Sequence, residues 1–357
     1  MQKKIAILSG DGIGPEVIEQ SLKAVKVIEQ LFNLRFTYTP ALVGATAIEQ
    51  VGNPYPDQTH DICMGSDAVL FGAIGDPKYD NDPKAKIRPE QGLLAMRKKL
   101  ELFANIRPVS AFKSLVHKSP LKTELIEGVD FIVLRELTGG IYFGEPRGRS
   151  ENGLTAFDTC TYTRAEVERI GKLAFEYARK RAKKLTAVDK ANVLATSRLW
   201  RETMQDLHKE YPDVELEFMF VDNAAMQLVT YPKKFDVIVT ENMFGDILTD
   251  EASVITGSLG LLPSASIGVH TSVFEPIHGS YPQAAGKNIA NPVGTILSAA
   301  LMFEYALNLP QAGALIRAAC ENSIEKGIVT ADISAGKVYS TSEVGDWIAE
   351  EVRNIKK

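Results

Sequence analysis

Asp246 and Asp250 stand four residues apart in the segment Asn242-Met243-Phe244-Gly245-Asp246-Ile247-Leu248-Thr249-Asp250-Glu251. On a helix that spacing puts both carboxylates on one face. Like charges there repel, and a cation between them relieves the repulsion. A hard divalent ion takes oxygen ligands, and Mg2+ commonly uses one or two carboxylates plus substrate oxygens. The same pair also fits a solvated acidic helix start, which the helix dipole favours. Spacing supports both readings.

Three arginines could hold the ligand of such a site. Arg97 lies on a helical segment that begins near Glu90. Arg107 follows Asn105-Ile106 and precedes Pro108. Arg135 closes the apolar run Phe131-Ile132-Val133-Leu134. An arginine ending a buried strand sits at the sheet edge, where open α/β folds bind ligands. Its planar fork matches a carboxylate in bidentate fashion. One such arginine reads as an ordinary surface ion pair; three near element ends suggest a ligand with several carboxylates.

Tyr142 and Lys190 are the candidates for proton transfer. Tyr142 follows the turn Thr138-Gly139-Gly140, and Lys190 ends the strand Ala187-Val188-Asp189 and precedes a helical run. A lysine near other cations or a metal has its pKa drawn toward neutrality and can act as a base. Each also reads as a surface side chain.

Two glycine-bearing segments compete for a phosphate role. Gly10-x-Gly12-x-Gly14 follows an apolar strand, yet it lacks the GxGxxG spelling. No acidic residue clearly ends a second strand about 20 residues on, as a dinucleotide fold requires. The second segment is Phe274-Glu275-Pro276-Ile277-His278-Gly279-Ser280, followed by Ala284 to Pro292. Its small residues would let a backbone approach a pyrophosphate closely. It equally reads as a loop capping a helix from Val293 to Leu307. No GxxxxGK[ST] phosphate loop occurs, which speaks against an NTPase or kinase.

The elements that must position these groups alternate. Short apolar strands recur at Lys4–Leu8, Ala68–Gly72, Phe131–Leu134, Leu185–Val188 and Phe235–Val239, with helical spacing between them, as at Val17, Leu22, Val25 and Ile28. Alternation of strand and helix predicts an α/β fold with a largely parallel sheet. Residues 145–163 break the rhythm. They are polar and rich in Thr, Phe and Tyr, and read as a hairpin or arm that serves as a surface loop or a subunit contact.

The 357 residues carry 45% apolar side chains and a net charge of −5 without long runs of one sign, which argues against a nucleic-acid or anionic membrane partner. Cys63, Cys160 and Cys320 lack metal-type spacing and read as idle thiols in a reducing compartment. The opening residues are too few and too polar for a signal peptide, and no stretch could span a bilayer as a helix. A cytoplasmic protein is expected.

Taken in order along nearly the whole chain, from Gly10-Asp11-Gly12-Ile13-Gly14-Pro15-Glu16 to the His278 loop, these blocks resemble the β-decarboxylating dehydrogenases. The resemblance implies an α/β, two-domain, non-Rossmann fold with a mixed sheet, flanking helices and a β arm that clasps a second subunit. It implies a cofactor domain of residues 1–102 plus 256–357, and a substrate, metal and dimerisation domain of residues 103–255 with the arm near 145–163. It implies a homodimer with shared active sites. Arg97, Arg107 and Arg135 would hold the substrate carboxylates. Asp246 and Asp250 would bind Mg2+ or Mn2+ with Asp222 of the partner subunit. Lys190, also from the partner, would be the base, and Tyr142 the acid. Ile13, His278, Gly279, Ser280, Ala290 and Asn291 would contact NAD, so the Gly10–Gly14 cluster would not hold its pyrophosphate.

Glu90, Leu93 and Leu94 match the family spelling that receives an isopropyl branch. Burying an unpaired carboxylate against two leucines costs roughly several kcal/mol, whereas a branched alkyl group gains about 1–3 kcal/mol. The expected reaction is therefore oxidation and decarboxylation of 3-isopropylmalate to 4-methyl-2-oxopentanoate, in leucine biosynthesis. A D-malate or tartrate relative is the nearest alternative, and a catalytically silent regulatory subunit the more distant one. NAD-preferring members carry an acid just after His-Gly-Ser; here that position is Gln283. NADP-preferring members carry Lys and Tyr there. Gln283 and Ala284 supply neither charge, and NAD is expected because no cation is evident for a 2′-phosphate.

Overall fold

Ile5, Ala6, Ile7 and Leu8 are all buried, as in a strand covered on both faces. They belong to the strand Gln2–Gly10. The computed structural model describes residues 2–80 and 86–356. The chain divides into two compact units, Met1–Leu102 with Thr256–Lys357, and Phe103–Ile255.

In the first unit the strand order is Arg35–Pro40, Gln2–Gly10, Ala68–Ala73, Val273–Pro276, Pro263–Gly268. The first four run parallel, and Pro263–Gly268 is antiparallel to its neighbour. The helix Gly14–Phe32 starts with a proline in its first turn and buries Val17, Ile18, Ser21, Val25 and Ile28 on one face. The helix Val293–Tyr305 is buried from Val293 through Phe303. Such an all-round apolar helix forms the centre of its unit.

In the second unit the order is Leu102–Ser110, Asp130–Glu136, Val237–Thr240, Lys184–Asp189, Glu215–Phe220. Only the Leu102–Ser110 pairing is antiparallel. The pairing is thus largely parallel, as strand–helix alternation predicts, and the antiparallel pairings of Pro263–Gly268 and Leu102–Ser110 make it mixed, as the resemblance implies. The expected arm contains a short antiparallel ladder, Gly148–Arg149 with Ala156–Phe157, and these residues are exposed.

One boundary differs from expectation. Lys190 does not lead directly into a helix; the next helix is Ala195–His208. Asp189 explains the delay. Its carboxylate accepts the Ala191 N–H at 3.0 Å and is clamped by Arg201 at 2.8 and 2.9 Å. This Asx-type turn holds the chain out of helical geometry for several residues.

Candidate active site

Arg135 is the next-to-last residue of the Asp130–Glu136 strand and is 1% exposed. A buried guanidinium requires partners. Asn242 supplies one: its side-chain carbonyl accepts from Arg135 Nε at 3.1 Å and Nη2 at 2.9 Å. Asp246 supplies the other, bonded to Arg135 Nη1. Gly245 makes the room. A Cβ there would lie 2.6 Å from Arg135 Cγ.

Arg107 shares this neighbourhood. Its strand pairs antiparallel with that of Arg135, placing Asn105 opposite Arg135. Arg107 Nε donates to Asn105 at 2.6 Å, and Nη1 bonds Thr249. Its guanidinium is 3.7 Å from Asp246 and 3.6 Å from Asp250. Tyr142 completes the group, its hydroxyl donating to Asp246 Oδ2 at 3.0 Å.

Asp246 and Asp250 lie on the helix Asn242–Thr256, one turn apart and beyond its first turn. The acidic helix-start reading therefore does not account for them. The repulsion between them is met in this chain by two guanidinium groups. Asp250, its side chain 68% exposed, nevertheless keeps a pKa above its ordinary value. Burial and then the Asp246 charge push its pKa up, against the pull of Arg107 and Arg135. A divalent cation would reverse that balance, and an all-oxygen donor set suits a hard ion. The pair fits the metal.

Lys190 and Asp222 pair with each other, 2.7 Å apart. The Lys190 charge holds the Asp222 carboxyl below its ordinary range. Among the described residues no three His, Cys, Asp or Glu side chains converge as a metal site. Within one chain, then, Asp222 is not brought beside Asp246 and Asp250. Lys190 faces a carboxylate here.

In the first unit, Glu90, Leu93, Leu94 and Arg97 fall on one face of the helix Pro89–Lys99, at spacings of three, four and seven. Arg97 is buried, 3.9 Å from the Glu275 carboxylate. Its Nε has no hydrogen-bond partner. An orphaned guanidinium donor above two half-buried leucines suits a ligand that is anionic at one end and branched at the other.

The same unit holds a cavity of about 650 Å³ walled by Ile13, His278, Gly279, Ala290 and Asn291, together with Asp332 and others. His278 Nδ1 lies 2.9 Å from the Gly279 carbonyl, so it carries the proton. Burial pushes the ring pKa down. The neutral ring therefore offers Nε2 as an acceptor, buried and without a partner. Ser280 and Gln283 are not among the walling residues. Ser280 instead holds the wall in place, its carbonyl accepting the Ile13 N–H at 2.8 Å. Gly12, at φ +55°, has no room for a Cβ against that same carbonyl. The glycine cluster thus serves close loop packing behind the cavity.

Three residues with clear roles carried no signal in the sequence. Asn242 bridges Arg135 to the Tyr142 turn through Nδ2, which donates to the Gly139 carbonyl at 3.2 Å. Asp11 gathers the N–H groups of Ala45, Thr46 and Gly75, each at 2.9 Å. Asp332 accepts from Asn291 at 3.0 Å in the cavity wall. Each acts through contacts remote in sequence.

The profile described as isocitrate/isopropylmalate dehydrogenase matches residues 4–348. A 3-isopropylmalate dehydrogenase of Bacteroides fragilis is 58% identical over 355 residues, 99% of both chains. That of Aquifex aeolicus is 53% identical, over 99% of this chain and 98% of its own. Among solved structures, an isocitrate dehydrogenase from Methylococcus capsulatus superposes with a TM-score of 0.87 at 34% identity, covering 98% of this chain and 99% of that one. A β-decarboxylating dehydrogenase from Thermococcus kodakarensis gives 0.81 at 35% identity, covering 99% and 97%.

Proposed function

This chain belongs to the isocitrate/isopropylmalate dehydrogenase family, and on that premise we propose that it oxidises (2R,3S)-3-isopropylmalate with NAD and releases CO2, giving 4-methyl-2-oxopentanoate in leucine biosynthesis. The observation that carries this reading is the convergence of Arg135, Arg107 and Tyr142 on Asp246.

Arg97, Arg107 and Arg135 hold the two carboxylates of the substrate. Leu93 and Leu94 receive its isopropyl group, and Glu90 stands at the start of the same helical face. Asp246 and Asp250, with Asp222 of the partner subunit, bind Mg2+ or Mn2+. Ile13, His278, Gly279, Ala290 and Asn291 would hold NAD from the cavity wall, with Ser280 and Gln283 outside that wall. When bound, the ion supplies Lewis acidity to the oxygen on C2, and NAD supplies the hydride acceptor. Lys190 of the partner subunit takes the hydroxyl proton as the hydride leaves C2. The neighbouring carboxylate departs as CO2, and Tyr142 delivers a proton to C3. The arginines hold the reacting carboxylate in place and offset its charge.

A homodimer follows from this sharing of residues. Apolar side chains support it: Met226 and Ile247 are each 59% exposed, on the helices Val221–Thr230 and Asn242–Thr256. Leu154 is 86% exposed on the arm. These are the side chains that such a subunit contact would cover. Among the described residues no helix is long and apolar enough to cross a membrane, and we place the enzyme in the cytoplasm.

The test is NADH formation from 3-isopropylmalate, isocitrate and D-malate, each with Mg2+ and with EDTA. Turnover of the first alone, abolished by chelator, is expected. Comparable turnover of isocitrate or D-malate would overturn the substrate assignment.

A further inference from the structure

The loop that walls the cofactor cavity carries a latch on its outer side. Asn288 sits at φ +57°, a left-handed conformation that asparagine tolerates better than most residues. Its side chain reaches the first turn of the helix Thr341–Ile355. Oδ1 accepts the Ser342 N–H at 2.9 Å, and Nδ2 donates to Ser342 Oγ at 2.9 Å. The Asn288 carbonyl accepts the Thr341 N–H at 3.0 Å. Thr341 Oγ1 then donates to the Ala290 carbonyl at 2.6 Å. The helix therefore spends N-terminal N–H groups on this loop. On the other side, the amides of Asn288 and Gly286 face the Glu16 carboxylate of the helix Gly14–Phe32. Ile289, Ala290 and Asn291, the next three residues, all wall the cavity.

We propose that Asn288 is a positioning residue for the cofactor, its side-chain amide fastening the loop to the Thr341–Ile355 helix and so setting the cavity wall before NAD binds. This rests on the placement of NAD in that cavity. The physical reason is entropic. A loop that orders only on binding weakens affinity by the cost of ordering it. Asn288 precedes the wall directly, so freeing it frees the wall.

Asn288→Gly isolates the effect. Glycine keeps the left-handed backbone and the carbonyl bond to Thr341, and removes only the two side-chain bonds. NADH affinity, read by fluorescence titration, should weaken about tenfold, which is roughly 1.4 kcal/mol. KM for NAD should rise in parallel. The kcat and the KM for the hydroxy acid should stay within about twofold of wild type, because the latch touches neither substrate nor reacting atoms. Asn288→Asp keeps an acceptor at the helix N-terminus, where negative charge is favoured, and should restore most of the affinity.

An Asn288→Gly enzyme that binds NADH as tightly as wild type would overturn the proposal. So would a uniform fall in every kinetic constant together with Tm, which marks a structural role alone, or an Asp variant as weak as the Gly variant. A wild-type enzyme that forms no NADH complex would sink the cofactor placement itself, and the latch with it.

Discussion

Arg135 and Asn242 are joined by two hydrogen bonds, 3.1 and 2.9 Å long, between one guanidinium edge and one amide oxygen. The same amide donates to the Gly139 carbonyl in the turn that leads to Tyr142. One side chain thus aligns Arg135 and the turn that carries Tyr142, the proposed substrate arginine and proton donor. Asn242→Ala leaves buried donors and a carbonyl unsatisfied. It should lower stability by about 2–4 kcal/mol. It should also raise KM for the hydroxy acid and lower kcat, measured by urea unfolding and steady-state kinetics. A stable variant with wild-type kinetics would remove Asn242 from this role.

Gly245→Ala separates local helix stability from function. Alanine favours the helix by about 1 kcal/mol. Its Cβ would nevertheless meet Arg135 Cγ at 2.6 Å and push the guanidinium off its partners. Activity should fall at least about 100-fold with helix content unchanged by circular dichroism. Near-normal kcat/KM would show that Arg135 tolerates displacement.

Leu93 and Leu94 should set the choice of substrate. Leu94→Asn removes apolar contact with the branch and should lower kcat/KM for 3-isopropylmalate about 10–200-fold. D-malate, which lacks the branch, should be affected far less. An equal loss on both acids would point to a damaged fold rather than a damaged pocket.

Glu241 predicts a pH effect on stability. Burial, and then the nearby Glu136 carboxylate, raise its pKa to about 7. An acid raised in the folded state keeps its proton while the unfolded chain has lost its own. Stability is therefore lost as pH climbs from the unfolded carboxyl range, near 4.5, to about 7. Glu241→Gln should raise Tm at pH 8, by an amount worth about 1–3 kcal/mol, and leave it nearly unchanged at pH 4. A Tm gain equal at both pH values would contradict this.

Much of the site was legible because its signals are local. The four-residue spacing of Asp246 and Asp250 needs only a helix, whereas Glu90, Leu93 and Leu94 stand out only through the family resemblance. The strand ends at Arg135 and Lys190 were visible in short apolar runs. Contacts between distant segments were not. Nothing near Asn242 announces Arg135, 107 residues away. The antiparallel strand Leu102–Ser110 was hidden because pairing direction is set by the sheet, not by composition. The spacing of the two aspartates leaves a metal pair and an acidic helix start both open, and it gives no sign of Arg107 and Arg135, which share that face.

The central claim is that one chain's Tyr142 works with the other chain's Lys190. Tyr142→Phe and Lys190→Ala should each fold and bind substrate with little turnover. Unfolded and refolded together in equal amounts, they form mixed dimers in which one of the two sites has both groups intact. The mixture should recover about one quarter of wild-type kcat, since half the dimers are mixed and each has one working site. Activity no greater than the average of the two parent variants, in a mixture shown to contain mixed dimers, would contradict the shared site.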